Sequence, residues 1–582
     1  MYVPFLFPSK VPRGLGDDQS SRGIWGDLDA WMASLWSNLL QIKPLPEGAI
    51  IDDSARLDPP AFAISPVDLT VATESASVGE IPPTVEDAIS RGREGFWESI
   101  APPRGRHGHA GGVPKLARLM VNRRLTADDH FHDVRHVELD VAGVPGGRDY
   151  GAGDVAWLHP CNDQSSVETF ADAMGLSLDQ IFRISPAPTA VGQGSINTVQ
   201  SPTGGQADEG RGGVIGNGGR QHRQHERHHR QPQPYLLPPV CSVRFLLSEV
   251  LDILGTPRRS FFEQLSLFAR DDEEKEKLVE LASPEGADLL YEYATREKRS
   301  YVEVLGDFPS CKVPLERLLE LIPRLRPRGF SIASSALETP SRVHLCVAVV
   351  SFRTPYKRVR NGICSSWLAS LRPGATVPLC IRPGTFKLPS SPSHPLIMVG
   401  PGTGVAPMRS VILERRCLRR RVGAWGQRYG GNTDADEGGS RGGSSSMQRE
   451  DLGEVNTSPD TLFFGCRFRE KDFLYGAAWT DMAAEGDLSL HTAFSRQNPD
   501  PRGGRVYVQR RIREQSEPLS RLIVDGGACV LVSGSAKQMP RDVREALRDA
   551  IATHTRVDGE AGAEAVLKNM ERKGRYCVEA WS

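Results

Sequence analysis

One segment of the sequence combines a strand pattern, a glycine-rich turn and a helix pattern. The apolar run Leu396–Val399 leads into Gly400-Pro-Gly-Thr-Gly404, and a helical pattern starts at Met408. Glycine lets the backbone approach an anion closely, and the free amides at a helix start bind a pyrophosphate. The residues that we expect at the phosphates are Gly402, Thr403 and Gly404. A tight strand-to-helix turn without a ligand is the alternative interpretation.

Two further segments suit a flavin nucleotide when they are taken together. In Arg328-Gly-Phe-Ser331, the planar guanidinium matches a phosphate, the phenyl ring offers a flat face and the hydroxyl suits a polar ring edge. Gly362-Ile-Cys-Ser365 opens a predicted helix, which is again a phosphate-binding arrangement. Each segment alone fits a plain strand or cap, but their joint occurrence indicates a site. The candidate residues are Arg328, Gly329, Phe330, Ser331, Gly362, Ile363, Cys364 and Ser365.

A third cluster joins Thr492-Ala-Phe-Ser-Arg496 to Arg505-Val-Tyr-Val-Gln509. Two arginines and two hydroxyl groups can hold a phosphate monoester by charge-assisted hydrogen bonds. In a nicotinamide site this favours the 2′-phosphate of NADP, because NAD would call for an acidic residue at the ribose. The residues of this clamp are Ser495, Arg496, Arg505 and Tyr507. A solvated basic loop is the alternative.

The elements that must position these segments fall into two patterns. Residues 119–160 and 328–386 alternate like antiparallel strands, and residues 241–325 between them show helical spacing. From Pro395 onward, buried strands alternate with helices, as in a parallel α/β sheet. The predicted parallel strands are Leu396–Val399, Thr461–Gly465, Leu488–Ser495 and Ala528–Ser533. The predicted fold class is α/β plus β, an antiparallel β-barrel with a helical insertion followed by a parallel α/β domain.

Three stretches have the composition of unstructured chain. Residues 43–114 are predicted to be a flexible linker, and residues 188–238 and 424–458 are predicted to be disordered inserts in folded domains. The second stretch contains a histidine run interleaved with arginine. Its histidines are His222, His225, His228 and His229. A solvated loop is the favoured interpretation of this run, and a metal site is the alternative.

Bulk composition excludes several classes of protein. The 582 residues carry a formal net charge of -1, so no global field draws the chain to nucleic acid or membrane. The 10 cysteines include no Cys-x-x-Cys pair, which argues against a cysteine-ligated zinc or iron–sulfur site. We therefore predict no metal site, a reducing compartment and a cytoplasmic protein without a membrane span.

The motifs together resemble those of the NADPH-dependent diflavin oxidoreductases, in the ferredoxin–NADP reductase superfamily. Arg-x-aromatic-Ser, Gly-x-Cys-Ser and Gly-Pro-Gly-Thr-Gly-x-Ala-Pro are all present, over residues 115–582 apart from the inserts. Pro257-Arg-Arg-Ser-Phe-Phe-Glu and Asp472-Phe favour the subgroup that serves cytosolic iron–sulfur assembly. One departure is Arg505, where many relatives carry lysine, and the charge is kept.

The resemblance implies FAD and NADPH as cofactors and a role for each motif. Cys466, in Phe464-Gly-Cys-Arg467, would lie beside the nicotinamide, and Trp581 would cover the flavin ring with Glu579 as its acidic neighbour. Ser331 would hydrogen-bond the flavin near N5, so the catalytic residues are Ser331, Cys466, Glu579 and Trp581. The remaining cofactor contacts implied by the resemblance are Arg296, Val506, Val508, Gln509 and Asp542. The implied domains are residues 115–388 for FAD and 389–582 for NADP.

The family's second flavin, FMN, sits in an N-terminal flavodoxin-like domain, of which residues 1–42 resemble only the last piece. Val11–Gln19 is similar to the final FMN-side loop, and Trp25–Leu40 to the closing helix. We expect this remnant not to bind FMN unless the rest of the domain is restored. An incomplete gene model is the favoured explanation, and an isoform that lost the domain is the alternative.

The resemblance implies electron transfer from NADPH through FAD to a protein of cytosolic iron–sulfur assembly that carries a 2Fe–2S cluster. A related reductase for haem or sulfite-type acceptors is the second enzymatic hypothesis. A non-catalytic interaction protein on a reductase scaffold is the third, and the intact Arg328, Thr403, Arg496 and Trp581 argue against it. No nucleic-acid or membrane partner is expected.

Overall fold

A computed structural model describes residues 23–42, 57, 59–67, 93, 95–97, 114–187, 237–386, 388–389, 394–429, 459–497 and 504–581. Its strands are β1 Phe62–Pro66, β2 Lys115–Arg124, β3 Val134–Asp140, β4 Val155–Leu158, β5 Ile181–Pro186, β6 Val240–Ser242, β7 Arg328–Ser331, β8 Arg342–Ala348, β9 Ser351–Arg353, β10 Val359–Asn361, β11 Thr376–Arg382, β12 Leu396–Val399, β13 Asp460–Cys466, β14 Leu488–Phe494, β15 Cys529–Ser535 and β16 Tyr576–Trp581.

The α-helices of these ranges are α1 Gly23–Ile42, α2 Gln164–Met174, α3 Val243–Phe245, α4 Arg259–Leu265, α5 Asp272–Ala282, α6 Ala287–Leu290, α7 Tyr301–Asp307, α8 Leu315–Leu321, α9 Ile363–Ser370, α10 Val405–Tyr429, α11 Arg469–Asp472, α12 Gly476–Ala484, α13 Val508–Glu514, α14 Ser516–Val524, α15 Met539–His554 and α16 Gly559–Arg572. Two π-helical turns, Leu246–Val250 and Tyr291–Thr295, continue α3 and α6.

The antiparallel part is a closed barrel. Six strands hydrogen-bond in the order β7-β4-β11-β2-β3-β8, and the bridge between Ile332 and Leu345 joins the two edges. Alternate side chains of these strands point inwards and form a buried core that includes Leu119, Leu139 and Leu158. The helices α2 to α8 pack around a separate apolar core, as the helical spacing of residues 241–325 predicts. The predicted barrel with a helical insertion is confirmed.

The second part is a five-stranded sheet in the order β14-β13-β12-β15-β16, and every pairing is parallel. From β12 the chain builds the sheet outwards to β14 and then returns to the other side of β12 with β15. Such a reversal of strand order leaves a crevice at the carboxyl ends of the central strands, where α/β proteins bind ligands. The predicted parallel domain is confirmed, and the glycine-rich turn lies at this crevice.

A buried ion pair holds the helix that follows the turn. Arg415 of α10 is 3.0 Å from the carboxylate of Asp460, and Arg419 is 2.9 Å from the same group. Both Arg415 and Asp460 are buried, so removing one partner would leave an uncompensated charge. The pair therefore fixes α10 against the start of β13.

The linker prediction for residues 43–114 is wrong in two places. Residues Phe62–Pro66 form β1, which pairs antiparallel with β5. Phe96 and Trp97 are buried in the helical core, because their aromatic rings cover an apolar face that the helices leave open. The composition of the stretch as a whole concealed these short apolar groups.

The insert predicted at residues 424–458 begins later than expected. Helix α10 runs to Tyr429 and so includes the predicted insert positions 424–429, where the sequence contains no proline. The other predicted insert positions, 188–236 and 430–458, lie outside the described residues. So does the predicted FMN-side loop Val11–Gln19. The closing helix predicted at Trp25–Leu40 is present as α1.

Candidate active site

The barrel and the parallel sheet meet at a cleft of about 560 Å³. Strand β7, the start of α9, the glycine-rich turn and the end of β16 all reach it. The predicted site residues that line it are Arg328, Gly329, Phe330, Ser331, Gly362, Ile363, Cys364, Ser365, Thr403 and Trp581. Residues from four separate parts of the sequence thus come together at one surface.

Strand β7 lines the cleft, and its position is fixed by antiparallel pairing with β4. Ser331 pairs with Val155, and Gly329 pairs with Trp157. A Cβ atom at Gly329 would lie 3.1 Å from Val155 Cγ1 and 3.2 Å from Trp157 Cε2, so a larger residue would push the strand outwards. The exposed Arg328 donates through Nη1 to the carbonyl oxygen of Arg326 at 2.9 Å, which leaves further donors of its guanidinium for a phosphate.

The start of α9 is built so that the backbone faces the cleft. The Ser365 hydroxyl accepts from the Val350 amide at 3.0 Å and donates to the Gly362 carbonyl at 3.2 Å. A Cβ atom at Gly362 would lie 2.8 Å from both Ser365 Oγ and Val350 Cβ. Burial raises the pKa of the Cys364 thiol to about 12, so it stays protonated at neutral pH.

The glycine-rich turn needs glycine at two positions for different reasons. Gly402 has φ of 57°, in the left-handed region that other residues rarely adopt. A Cβ atom at Gly404 would lie 2.1 Å from the carbonyl oxygen of Ser533 in β15. The turn is therefore pressed against the next strand of the sheet. Thr403 is the member of the turn that reaches the cleft.

Two residues of β16 lie at this junction, and one of them, Trp581, lines the cleft. Glu579 accepts a hydrogen bond from the Ser331 hydroxyl at 3.0 Å across the junction of the two domains. Its other carboxylate oxygen, Oε2, is buried without a hydrogen-bond partner. Trp581 lies opposite Ser535 at the end of the strand and is 40% exposed. A partly buried carboxylate with an unpartnered oxygen, beside a half-covered indole, suits a ligand that brings a hydrogen-bond donor and a flat ring.

Glu579→Gln is expected to remove a pH dependence of flavin reduction. Burial raises the pKa of Glu579, and the bond from Ser331 only partly offsets this. As pH rises through this pKa the carboxyl group ionises, and we expect its negative charge to stabilise the positive charge that hydride donation would leave on a nicotinamide bound beside it. The rate of reduction by NADPH in stopped flow should rise with pH in the natural enzyme, and the glutamine variant should stay about 10-fold slower and flat, which corresponds to about 1.4 kcal/mol.

The control for this experiment is Glu560→Gln, a change of the same chemistry at the exposed start of α16. It should leave the pH profile unchanged. If Glu579→Gln kept the profile of the natural enzyme, the carboxylate would have no part in the transfer.

Cys466 does not line the cleft, although it ends β13 on the same side of the sheet. Its thiol donates to the carbonyl oxygen of Phe468 at 3.6 Å, and Asp472 accepts from the amides of Arg467 and Phe468 at 3.0 and 2.6 Å. Burial, with the Asp472 carboxylate, raises the pKa of the Cys466 thiol. The residue is therefore a neutral hydrogen-bonding group, and its position beside the nicotinamide stays a prediction.

The predicted 2′-phosphate clamp lies at the edge of the parallel sheet. Ser495 and Arg496 directly follow β14, where their amides donate to the carbonyls of Cys466 and Arg467 at 2.9 and 3.0 Å. Tyr507 occupies the position just before α13, and Arg505 lies two residues earlier. The side chains of Arg496, Arg505 and Tyr507 are exposed and open to a ligand. Their role as a clamp stays a prediction.

The remaining predicted contacts differ in what their side chains can do. Val506 and Val508 are buried in the core of the parallel domain, so only their backbone can face a ligand. Gln509 donates to Asp542 at 3.1 Å, which links the starts of α13 and α15. Arg296 is exposed, pairs with Glu292 and lies outside the cleft.

The cleft also contains residues that the sequence patterns did not single out. They are Pro160, Leu254, Thr256, Lys298, Cys346, Ala348, Val350, Phe352, Arg360, Asn361 and Ala406. Arg360 donates to the Glu297 carbonyl and to Glu303, so its guanidinium is held at the rim. The sequence could have indicated Arg360, because it lies two residues before Gly362 of the predicted site. No sequence pattern could have indicated the exposed hairpin of β9 and β10, which carries Phe352, because strands of three residues are too short to show a periodicity.

Comparison with protein-family models agrees with this division of the chain. Residues 112–367 match the FAD binding domain, and residues 398–545 match the oxidoreductase NAD-binding domain. A closed antiparallel barrel followed by a parallel sheet, with the cleft between them, defines a flavin- and nicotinamide-dependent oxidoreductase of the ferredoxin–NADP reductase type.

Curated relatives define the family more closely. The chain is 35% identical to the zebrafish (Danio rerio) NADPH-dependent diflavin oxidoreductase 1, over 98% of this chain and 79% of that protein. It is also 35% identical to the Arabidopsis thaliana protein of that name, over 98% of this chain and 80% of the relative, and 30% identical to the Aspergillus fumigatus protein, over 98% and 78%. The chain belongs to the family of NADPH-dependent diflavin oxidoreductases. It is an NADPH oxidoreductase that transfers electrons through FAD.

The residues of the cleft fit FAD. Backbone close approach at Gly329 and Gly362, the free donors of Arg328 and the unpartnered oxygen of Glu579 are all features that a flavin nucleotide uses. When bound, FAD accepts hydride and releases single electrons, and the protein supplies orientation and electrostatics. The described part of the chain contains no helix with the length and apolarity needed to cross a membrane.

Proposed function

We propose that the enzyme passes electrons from NADPH through FAD, and through FMN where a complete FMN domain is present, to a 2Fe–2S protein of cytosolic iron–sulfur cluster assembly. The family membership over 98% of the chain is the observation that carries the proposal. The segments Pro257-Arg-Arg-Ser-Phe-Phe-Glu and Asp472-Phe support this subgroup against reductases for haem or sulfite-type acceptors. We propose the cytoplasm as its compartment on the same grounds.

Asp472, which belongs to one of the two segments that favour this subgroup, makes contacts within its own turn and with the barrel. It caps the turn after Cys466 by accepting two backbone hydrogen bonds, and it lies 3.7 Å from the buried His130 of the barrel domain. Lys471 beside it pairs with Asp129, and the Lys471 carbonyl accepts from the Ala127 amide at 2.9 Å. This segment thus fixes the end of β13 against the barrel.

The electron count sets the test. One NADPH yields NADP⁺, one proton and two electrons, so it should reduce two 2Fe–2S clusters. The purified enzyme, with a complete FMN domain restored at its N-terminus and loaded with FAD and FMN, is mixed anaerobically with NADPH and an oxidised 2Fe–2S acceptor protein. Loss of the visible absorbance of the cluster is followed against NADPH consumed. Ferricyanide reduction by the same preparation serves as the control for the reductase half.

The outcomes separate the acceptor from the reductase activity. We expect ferricyanide and the cluster to be reduced, with about two clusters per NADPH. Ferricyanide reduction with an unreactive cluster would refute the acceptor proposal and leave the reductase in place. Faster reduction of a haem protein would favour the sibling class, and a preparation inert with both acceptors would refute electron transfer by this chain.

A further inference from the structure

Three side chains capable of binding a metal face one another on two neighbouring barrel strands. His136 and Glu138 are two residues apart on β3, so they point to the same face, and His344 of β8 is paired directly with Glu138. His136 Nε2 is 3.1 Å from Glu138 Oε1, and His344 Nε2 is 3.8 Å from Glu138 Oε2. One candidate atom from each residue lies within 4.8 Å of the other two.

The two imidazoles are prepared to act as ligands. Both histidines are buried, so protein groups surround their rings. His136 Nδ1 is 3.0 Å from the hydroxyl of Tyr475, which occupies that ring nitrogen and leaves Nε2 towards Glu138. Histidine ligands of metals usually have their second nitrogen hydrogen-bonded in this way.

We propose that His136, Glu138 and His344 bind one divalent transition-metal ion of the Zn²⁺ type. Two imidazoles and one carboxylate suit Zn²⁺ and exclude a preference for Mg²⁺ or Ca²⁺, which take oxygen ligands. Bonds from Zn²⁺ are about 2.0–2.2 Å long. The side chains would therefore close in by roughly an ångström, and water would complete the coordination.

The position of the site gives the ion a structural role apart from the electron path. β3 and β8 belong to the barrel, whereas Tyr475 and Arg409 belong to the parallel domain. Arg409 donates to the Ala333 carbonyl at 2.6 Å, stacks over the Tyr475 ring at 4.8 Å and approaches His344 Nδ1 at 3.5 Å. An ion that fixes His136 thereby fixes the hydrogen bond to Tyr475 and the contact between the domains.

Two arginines set a limit on the affinity. Arg342 lies 3.6 Å from Glu138 and competes with the ion for the carboxylate, and Arg409 adds a second positive charge near His344. Removing one of these competing charges is therefore expected to increase the affinity for Zn²⁺, whereas replacing a ligand should decrease it. Arg342→Gln should bind Zn²⁺ more tightly than the natural chain, because a competing cation is removed.

The histidine run between residues 221 and 230 also contains imidazoles, so the experiment uses a full-length chain in which its four histidines are replaced with glutamine. This FAD-loaded protein is freed of metal with a chelator and dialysed against Zn²⁺. Bound zinc per chain is measured by mass spectrometry, and the dissociation constant by competition with a chelating dye. We expect one tightly bound ion per chain.

The variants assign the ion to its ligands. His136→Gln and His344→Gln should each weaken Zn²⁺ binding by at least about 10-fold, and Tyr475→Phe by a smaller factor. The matched control is His491→Gln, which removes a partly buried histidine of β14 outside the cluster and should change nothing. Unchanged binding in the first two variants, or the absence of any stoichiometric zinc, would overturn the proposal.

A measurement without any change to the cluster covers the case in which those variants fail to fold. X-ray absorption at the zinc edge should show two imidazoles and oxygen ligands and no sulfur. Sulfur ligation by the cysteines, which are reduced and dispersed through the described ranges, would overturn the assignment to His136, Glu138 and His344. Zn²⁺ should also raise the melting temperature of the protein whose three ligand residues are unchanged, because the ion binds the folded chain.

Discussion

Replacing both Arg496 and Arg505 with alanine is expected to raise the KM for NADPH about 100-fold and to leave the KM for NADH unchanged. Both residues are exposed, Arg496 after β14 and Arg505 before α13, so neither is part of the buried core. A charge-assisted hydrogen bond to phosphate contributes about 1.5–3 kcal/mol. Solvent screens the charges at this exposed edge, so we expect the lower end of this energy range. That energy corresponds to a change in KM of about 10-fold for each arginine.

The measurement is steady-state ferricyanide reduction with each nucleotide. A matched control is Arg513→Ala on the same helix α13, since this arginine already pairs with Asp549 at 3.3 Å and is not one of the clamp residues. Raised salt should weaken NADPH binding in the natural enzyme more than in the double variant. An equal rise in KM for NADPH and NADH would refute the assignment of these arginines to the 2′-phosphate.

Most of the parallel domain could be predicted from the sequence because its strands are buried on both faces. Runs such as Leu396–Val399 and residues 529–532 are continuously apolar, and the glycines between strand and helix mark the crevice. The motif residues of β7, α9 and the turn were likewise found, since each needs a particular residue type for a steric or electrostatic reason. Gly404 against Ser533 is the clearest of these.

What the sequence could not provide are contacts that depend on distant pairing. The bond from Ser331 to Glu579 joins residues 248 positions apart, and β1 pairs with β5 across more than a hundred residues. The cluster of His136, Glu138 and His344 exists only because β3 and β8 are neighbours in the barrel. Composition also misled us at Phe96 and Trp97, where two aromatic residues in a polar stretch are enough to join a core.

Trp581→Ala is expected to raise kcat/KM for NADH about 100-fold while giving no such gain with NADPH. The indole lines the cleft with Ser331 and Thr403 and is 40% exposed. We therefore expect it to cover the place where a nicotinamide would stack. Displacing about 100 Å² of its surface from an aromatic ring costs about 2.5 kcal/mol, nearly a factor of 100. NADPH offsets this cost with its 2′-phosphate, whereas NADH has no equivalent group.

The same indole should also expel the oxidised nucleotide after hydride transfer. Without it, NADP⁺ held by Arg496 and Arg505 leaves slowly, so kcat with NADPH should fall while NADH turnover gains. Steady-state rates with both nucleotides and stopped-flow flavin reduction separate these steps. Trp581→Phe is the control, because a phenyl ring restores an aromatic cover and should keep the preference for NADPH. If the NADPH-to-NADH ratio of the alanine variant equalled that of the natural enzyme, Trp581 would be a structural residue of β16 and would not control access to the cleft.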